Sequence, residues 1–160
     1  MKLIIARHAE AEDKSPSGAD KDRQLTEKGR LDIIKMSRFI HNTPVKVNKI
    51  YYSPYLRTKL TADIYARELK IESPAESFSC LAPGNSCSNI IPDLARLSNS
   101  ETILIVSHNP DISYFTASLL EIDCVEESLI FSPGTTACIL IPKETFRKGK
   151  LLWFVSPDFL

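Results

Sequence analysis

No stretch of this sequence approaches the roughly 20 apolar residues needed to cross a bilayer, so a membrane-spanning protein is not expected. Charge of one sign is also missing. The 20 basic and 20 acidic residues cancel, and no overall field favours nucleic acid or an anionic membrane; any phosphate-binding site must be local. Cys80, Cys87, Cys124 and Cys138 form no C-x-x-C pair and have no histidine at zinc-ligand spacing. They read as buried, unpaired thiols, and neither metal nor redox chemistry is expected. Glycine is scarce, with five residues and no glycine-rich Walker loop, and no carboxylates cluster at metal-binding spacing. The N-terminal "MKLIIARHAEAE" has too few apolar residues for a signal peptide, which makes the cytoplasm the expected location. Histidine is scarcer still, with three residues, yet one of them stands beside an arginine directly after an apolar run.

An apolar fraction of 43% and a charged fraction of 25% over 160 residues describe an ordinary globular chain, most simply one domain spanning residues 1–160. Short apolar runs alternate with helix-like segments. "KLIIA" (2–6), "NKIYYS" (48–53), "ETILIVS" (101–107), "ACILIP" (137–142) and "LLWFVS" (151–156) read as strands. Helical periodicity covers 27–41, with Leu31, Ile34, Met36, Phe39 and Ile40 on a broad stripe, and 55–70, with Leu56, Leu60 and Ile64 at four-residue spacing. Further helices are expected over 110–120 and 88–97. The alternation predicts an α/β domain with a largely parallel sheet. Only "KETFRKGK" joins the last two strands, enough for a hairpin but not for a helical crossover, so the sheet should be mixed.

Three strands end on a shared chemistry. "LIIA" is followed by Arg7 and His8, "IYY" by "SPYLRT" with Arg57, and "ILIV" by "SHNP" with His108. In open α/β sheets, sites form beyond the carboxyl ends of the strands; if these three strands are parallel neighbours, Arg7, His8, Arg57 and His108 face one volume. Ser53-Pro54 and Asn109-Pro110 pair a capping side chain with proline, a helix-start signal. Two helix N-termini would then add their dipoles to the same crevice. Two arginines, two histidines and these helix ends make an anion site suited to phosphate, whose oxygens match the guanidinium fork. A histidine in the correct tautomer can attack phosphorus and form a phosphohistidine intermediate, while the cations neutralise the equatorial oxygens. No metal is demanded. His41, near a helix end, fits a cation at a C-terminus and needs no catalytic role.

These fragments resemble the histidine phosphatase superfamily, the phosphoglycerate-mutase-like group. Its R-H-G triplet appears as Arg7-His8-Ala9; "RQLTEKGR" (23–30) is similar to its "P-L-T-x-x-G" helix entry, "YSPYLRTKLTADI" (52–64) to its "S-x-x-x-R-x-x-Q-T-A" segment, and "ILIVSHNP" (103–110) to its "V-x-H" strand end. The short chain and the "SPYLRT" and "SHNP" wording most resemble the small bacterial phosphohistidine phosphatases. The resemblance implies a three-layer α/β/α sandwich with a mostly parallel, mixed central sheet. It also implies His8 as nucleophile, Arg7 and Arg57 on the phosphoryl oxygens, His108 supporting the transition state, Arg23 as a further phosphate-pocket arginine, and no cofactor. Ala9 departs from the usual glycine; a negative φ or tolerance of a small Cβ would explain it.

The second departure is chemical. Larger members carry an acidic proton donor after the third strand, whereas no acid lies between Glu76 and Asp93 here. An alkoxide leaving group gains roughly 10²- to 10⁴-fold from a general acid; a phosphorylated imidazole can take its proton near neutral pH without one. Phosphohistidine is therefore the expected substrate. The expected partner is a protein that bears it, either a histidine-phosphotransfer domain of a two-component relay or a phosphocarrier of a sugar-uptake system. Glu10 and Glu12 are the carboxylates nearest the nucleophile and could yet serve. A small phosphomonoesterase acting on sugar phosphates or nucleotides, and a non-catalytic phosphate-binding module, stay open as alternatives.

Overall fold

The computed structural model describes residues 1–85, 87–96, 102–123, 129–142 and 147–160. In chain order the elements are β1 (Lys2–Arg7), α1 (Glu27–His41), β2 (Lys49–Tyr52), α2 (Leu56–Glu68), β3 (Glu76–Ser77), α3 (Cys87–Arg96), β4 (Thr102–Ser107), α4 (Asp111–Leu120), β5 (Thr136–Leu140) and β6 (Lys150–Val155). They build one six-stranded sheet in the order β3-β2-β4-β1-β5-β6. The first four are mutually parallel, and β5 runs antiparallel to β1 and to β6. The sheet is mixed, as the short β5–β6 connection predicts.

The apolar runs of β1 and β4 behave as strands buried on both faces, whereas the edge strand β6 leaves Leu151 and Leu152 exposed. Alternate residues of β1 and β4 feed two separate cores. Leu3, Ile5, Ile103 and Ile105 pack with Leu94 of α3 and Phe115 and Leu119 of α4. Ile4, Ala6, Leu104 and Val106 pack on the other face with Ile33, Met36 and Ile40 of α1 and Ile64 and Tyr65 of α2. The period of two along a strand thus sorts one sequence into the two interfaces of a three-layer α/β/α sandwich. No helix among the described residues is long and apolar enough to cross a membrane.

Several local expectations need correction. Leu31 is 53% exposed; the buried stripe of α1 runs through Ile33, Met36 and Ile40, about half a turn away round the helix. Strand β3 escapes the sequence pattern because its two residues are both exposed. Neither proline opens its helix as expected. Tyr55 caps α2 and Pro110 caps α4, and neither cap carries a side-chain hydrogen bond. The would-be capping groups have other partners, since Ser53 Oγ lies 2.7 Å from His108 Nε2 and Asn109 Oδ1 accepts from Ser113 Oγ at 2.6 Å. Cys80 and Cys138 are free and buried. Cys124, Leu97, Glu101 and 143–146 lie outside the described residues.

Candidate active site

Because β2, β4 and β1 are adjacent and parallel, their carboxyl ends open on one side of the sheet. The structure brings His8, Arg57 and His108 together there, with Arg7 at the end of β1. Arg57 is the second residue of α2, so the helix that follows β2 delivers its side chain into the crevice.

His8 is held at both its backbone and its ring. Its amide donates to the Ser107 carbonyl at 3.0 Å, and its own carbonyl accepts from Gly134 at 3.1 Å. Nδ1 lies 2.7 Å from the Ala9 carbonyl oxygen. A carbonyl only accepts, so Nδ1 must carry the proton and Nε2 the lone pair. Arg57 Nε–H points at that lone pair from 3.2 Å. Burial pushes the imidazole pKa down to about 4, with the Arg57, Arg7 and Arg23 charges lowering it further against the Ala9 bond. His8 is thus a neutral imidazole with a directed Nε2 at pH 7.

Ala9 is fully buried and its amide donates to Thr61 Oγ1 at 3.1 Å, which in turn donates to the Arg57 carbonyl. The described non-glycine residues with positive φ are Lys70, Glu121 and Lys148, so the backbone at Ala9 is one that any L-residue adopts. Alanine in the glycine position costs no strain. Gly134 does need its glycine: its φ is +78° and a Cβ would sit 2.9 Å from the Pro157 ring.

His108 is 3% exposed, and its ring stands 5.2 Å from that of His8 and 4.9 Å from Tyr55. Burial, the neighbouring His8 and the Arg57 charge push its pKa to about 3. Its Nδ1 is buried with no hydrogen-bond partner among the described residues, and so is Arg7 Nε. Arg7 is anchored instead through Nη1, which donates to the Phe131 carbonyl at 2.7 Å.

Arg57, 6% exposed, lies over the Tyr55 ring at 4.7 Å. Its Nη1 donates to the Asp20 carbonyl at 2.9 Å and its Nη2 to Asp20 Oδ2 at 3.1 Å. Arg23 stands on the rim, its side chain 27% exposed, with Nη1 on Asp20 Oδ1 at 3.0 Å and Nε on the Glu12 carbonyl. Asp20 therefore bridges both arginines, and their hydrogen bonds and charges hold its carboxyl below the usual range. Nothing in the sequence pattern marked Asp20. It lies 37 residues from Arg57, and only the fold joins them. His41 ends α1, away from this group, since the other end of that helix lies against Glu10.

Of the two carboxylates near His8 in the sequence, Glu12 is exposed and Glu10 is engaged. Glu10 Oε1 accepts from Thr26 Oγ1 at 2.8 Å, beside the N-terminus of α1. Close approach of that helix is permitted by Gly29, where a Cβ would collide with the Glu10 carbonyl. Asp111, three residues beyond His108, accepts from the Gly84 amide at 3.0 Å. Among the described residues, no group of three or more His, Cys, Asp or Glu side chains could hold a metal ion.

Fold and geometry together define a class: an α/β/α sandwich with arginines gathered around a neutral histidine at the carboxyl edge of its sheet. The family model of the histidine phosphatase superfamily (branch 1) matches residues 3–82, and the chain belongs to that superfamily. Among its relatives is the phosphohistidine phosphatase SixA of Escherichia coli strain K12, 26% identical over 160 residues that cover 98% of this chain and 94% of that protein. A solved structure of the protein histidine phosphatase SixA complexed with tungstate superposes with a TM-score of 0.86 at 26% identity, covering 99% of both chains. A candidate phosphohistidine phosphatase SixA from Agrobacterium tumefaciens shares the fold, with a TM-score of 0.82 at 18% identity over 98% of this chain and 97% of that one.

Proposed function

We propose that this chain is a metal-independent phosphatase that hydrolyses phosphohistidine on a partner protein through a covalent intermediate on His8. The observation that carries this reading is the His8 tautomer, with its proton on Nδ1 against the Ala9 carbonyl and its Nε2 lone pair facing the Arg57 guanidinium. The Ala9 bond fixes the tautomer whose lone pair is on Nε2, the form in which an imidazole can attack phosphorus once a phosphoryl oxygen takes over the Arg57 donor.

Nε2 attacks phosphorus as the bond to the substrate imidazole breaks, and that imidazole leaves after taking a proton from solvent. Arg57 and Arg7 draw the equatorial oxygens, and the His108 ring completes the wall of the pocket. The two guanidinium charges support the transition state without a metal. Water then attacks the phosphorus of phospho-His8, inorganic phosphate departs, and Nε2 regains its lone pair. Arg23, on the rim, holds the phosphoryl group during entry.

The substrate assignment rests on the carboxylates. Segment 77–89 contains no Asp or Glu, Glu10 and Asp111 are occupied by Thr26 and the Gly84 amide, and Asp20 is paired with two arginines. Among these carboxylates a phosphomonoester would find no free proton donor, whereas an imidazole leaving group does not need one. Similarity to relatives named for phosphohistidine and for a bound tetrahedral oxyanion supports the same reading. The partner is a histidine-phosphotransfer domain or a phosphocarrier.

Quenching without acid after mixing with a ³²P-phosphohistidine protein tests the reading. Label should appear on wild-type His8 and be absent from a folded His8→Ala variant, which also loses turnover. Label that survives in His8→Ala, or a higher kcat/KM on p-nitrophenyl phosphate than on the phosphoprotein, would overturn it.

A further inference from the structure

We infer that Asp20 is a positioning residue, which acts through Arg57 to hold its side edge beside His8 Nε2, where the oxygens of the transferred phosphoryl group would meet it; this inference rests on His8 being the nucleophile. A guanidinium has five N–H donors in a rigid plane, so fixing one edge fixes the others. Asp20 takes the terminal edge of Arg57 with two different acceptors, its backbone carbonyl on Nη1 at 2.9 Å and its Oδ2 on Nη2 at 3.1 Å. The side edge, formed by Nε and the second N–H of Nη2, is thereby turned toward His8, where Nε lies 3.2 Å from Nε2.

An ion pair with an exposed carboxylate is ordinarily worth little, and the Asp20 side chain is 59% exposed. Here the carboxylate is itself fixed. Its other oxygen accepts from Arg23 Nη1 at 3.0 Å. Its backbone sits in a one-turn 3₁₀ helix, Asp20–Asp22, closed by Asp22 N on the Ala19 carbonyl at 3.1 Å and Arg23 N on the Asp20 carbonyl at 3.3 Å. Ser15 Oγ adds a bond to the Ala19 carbonyl at 2.7 Å. The loop that carries Asp20 therefore serves as a jig for an arginine 37 residues away. The two arginines keep Asp20 ionised, which makes it a positioning anion rather than a proton donor.

The experiment has a catalytic arm and a spectroscopic arm. Asp20→Asn keeps the backbone acceptor and the side-chain size but loses the charge. It should lower kcat on a phosphohistidine protein by about 10- to 100-fold, in line with the cost of a small misplacement of a catalytic group, with KM changed less than threefold. In an Arg57→Ala background the same substitution should add less than twofold to the loss in kcat, because its route to His8 has gone. Asp22→Asn, which removes a charge from the same loop and keeps an acceptor for Ser17 Oγ, is the loop control and should leave kcat unchanged. The Arg57 Nε–H resonance, read by ¹⁵N NMR in the ligand-free protein, should be sharp and slow to exchange in wild type and broadened in Asp20→Asn at unchanged thermal midpoint. Retention of that resonance in Asp20→Asn, or an undiminished effect of Asp20→Asn without Arg57, would overturn the inference. Failure of His8 to take label would sink the phosphatase reading, while the resonance would still decide whether Asp20 positions Arg57.

Discussion

The two walls of the pocket differ in how their polar atoms are satisfied. On one wall, His8 Nδ1, His8 Nε2 and all three nitrogens of Arg57 have protein partners, and the chain of contacts runs on through Asp20 to Arg23. On the other wall, Arg7 Nε and His108 Nδ1 are buried and, among the described residues, unpartnered; so is Thr135 Oγ1, on the residue whose carbonyl accepts the Arg7 amide. A buried polar atom left without a partner costs about 1–3 kcal/mol. Under the proposed function the partnered wall is the aiming device, and the other is the receiving wall, whose open polar atoms are buried in the ligand-free protein and have hydrogen bonds left to make to phosphoryl oxygens. This division supports the proposed chemistry without any added ligand.

If the receiving wall binds the phosphoryl group, the largest effect short of removing the nucleophile falls there. Arg7→Ala should lower kcat/KM on a phosphohistidine protein by about 10²- to 10³-fold, the usual cost of losing a preorganised charge at a developing anion. Arg7→Lys should recover only part of this, because an ammonium cannot both hold the Phe131 carbonyl and present a second planar donor. Steady-state kinetics beside the Asp20→Asn variant gives the ranking. An Arg7→Ala loss smaller than that of Asp20→Asn would invert the division between the walls.

Those walls were unequally legible in the sequence. Arg7 and His8 stand directly after one apolar run, His108 one residue beyond another, and Arg57 at the start of the helix that follows a third, so their position followed from strand ends and from the parallel-neighbour order. Ala9 was ambiguous on paper and is settled by an ordinary backbone and a fully buried methyl. Asp20 was invisible because its bond to Arg57 joins a polar loop to a helix across the fold. Ser53 was legible only as a cap. Its hydroxyl goes to His108 instead, a tertiary contact that overrides a local propensity, and the helix start shifts to Leu56. The exposed β3 and the misplaced Leu31 have the same origin, since neither burial nor pairing is a local property of those residues.

The histidines give the next effect, in stability rather than rate. Both have pKa values below the ordinary value of 6.5, about 4 for His8 and about 3 for His108. Between those values and 6.5 the unfolded chain binds protons that the folded chain does not. Stability must therefore rise with pH across this window. The contribution is fully present above about pH 6.5 and is lost as pH falls toward 4, at up to about 1.4 kcal/mol per pH unit for each histidine. Denaturant unfolding at pH 5 and pH 7 should show the slope, and His108→Asn should remove its share. Activity should hold down to about pH 5 and fall as His8 protonates. An unchanged slope in His108→Asn would mean that the ring on the receiving wall is not kept neutral by burial.

The smallest effect is predicted for Glu10→Gln, and it bears on the substrate. Glu10 stands two residues beyond His8, close enough in sequence to be suspected as a proton donor, but its Oε1 accepts from Thr26 Oγ1 at 2.8 Å and its carbonyl accepts from the Thr26 amide at 3.1 Å. Both contacts tie it to the start of α1, which places it with the partnered wall as a structural group. Glutamine keeps an acceptor for Thr26 and loses only the capacity to act as an acid. On a phosphohistidine protein, kcat should therefore stay within about threefold, since the leaving imidazole takes its proton from solvent. A true general acid contributes roughly 10²- to 10⁴-fold, so the two outcomes are far apart. A loss of that size, greater on p-nitrophenyl phosphate than on the phosphoprotein, would make Glu10 the donor and turn the pocket toward phosphomonoesters.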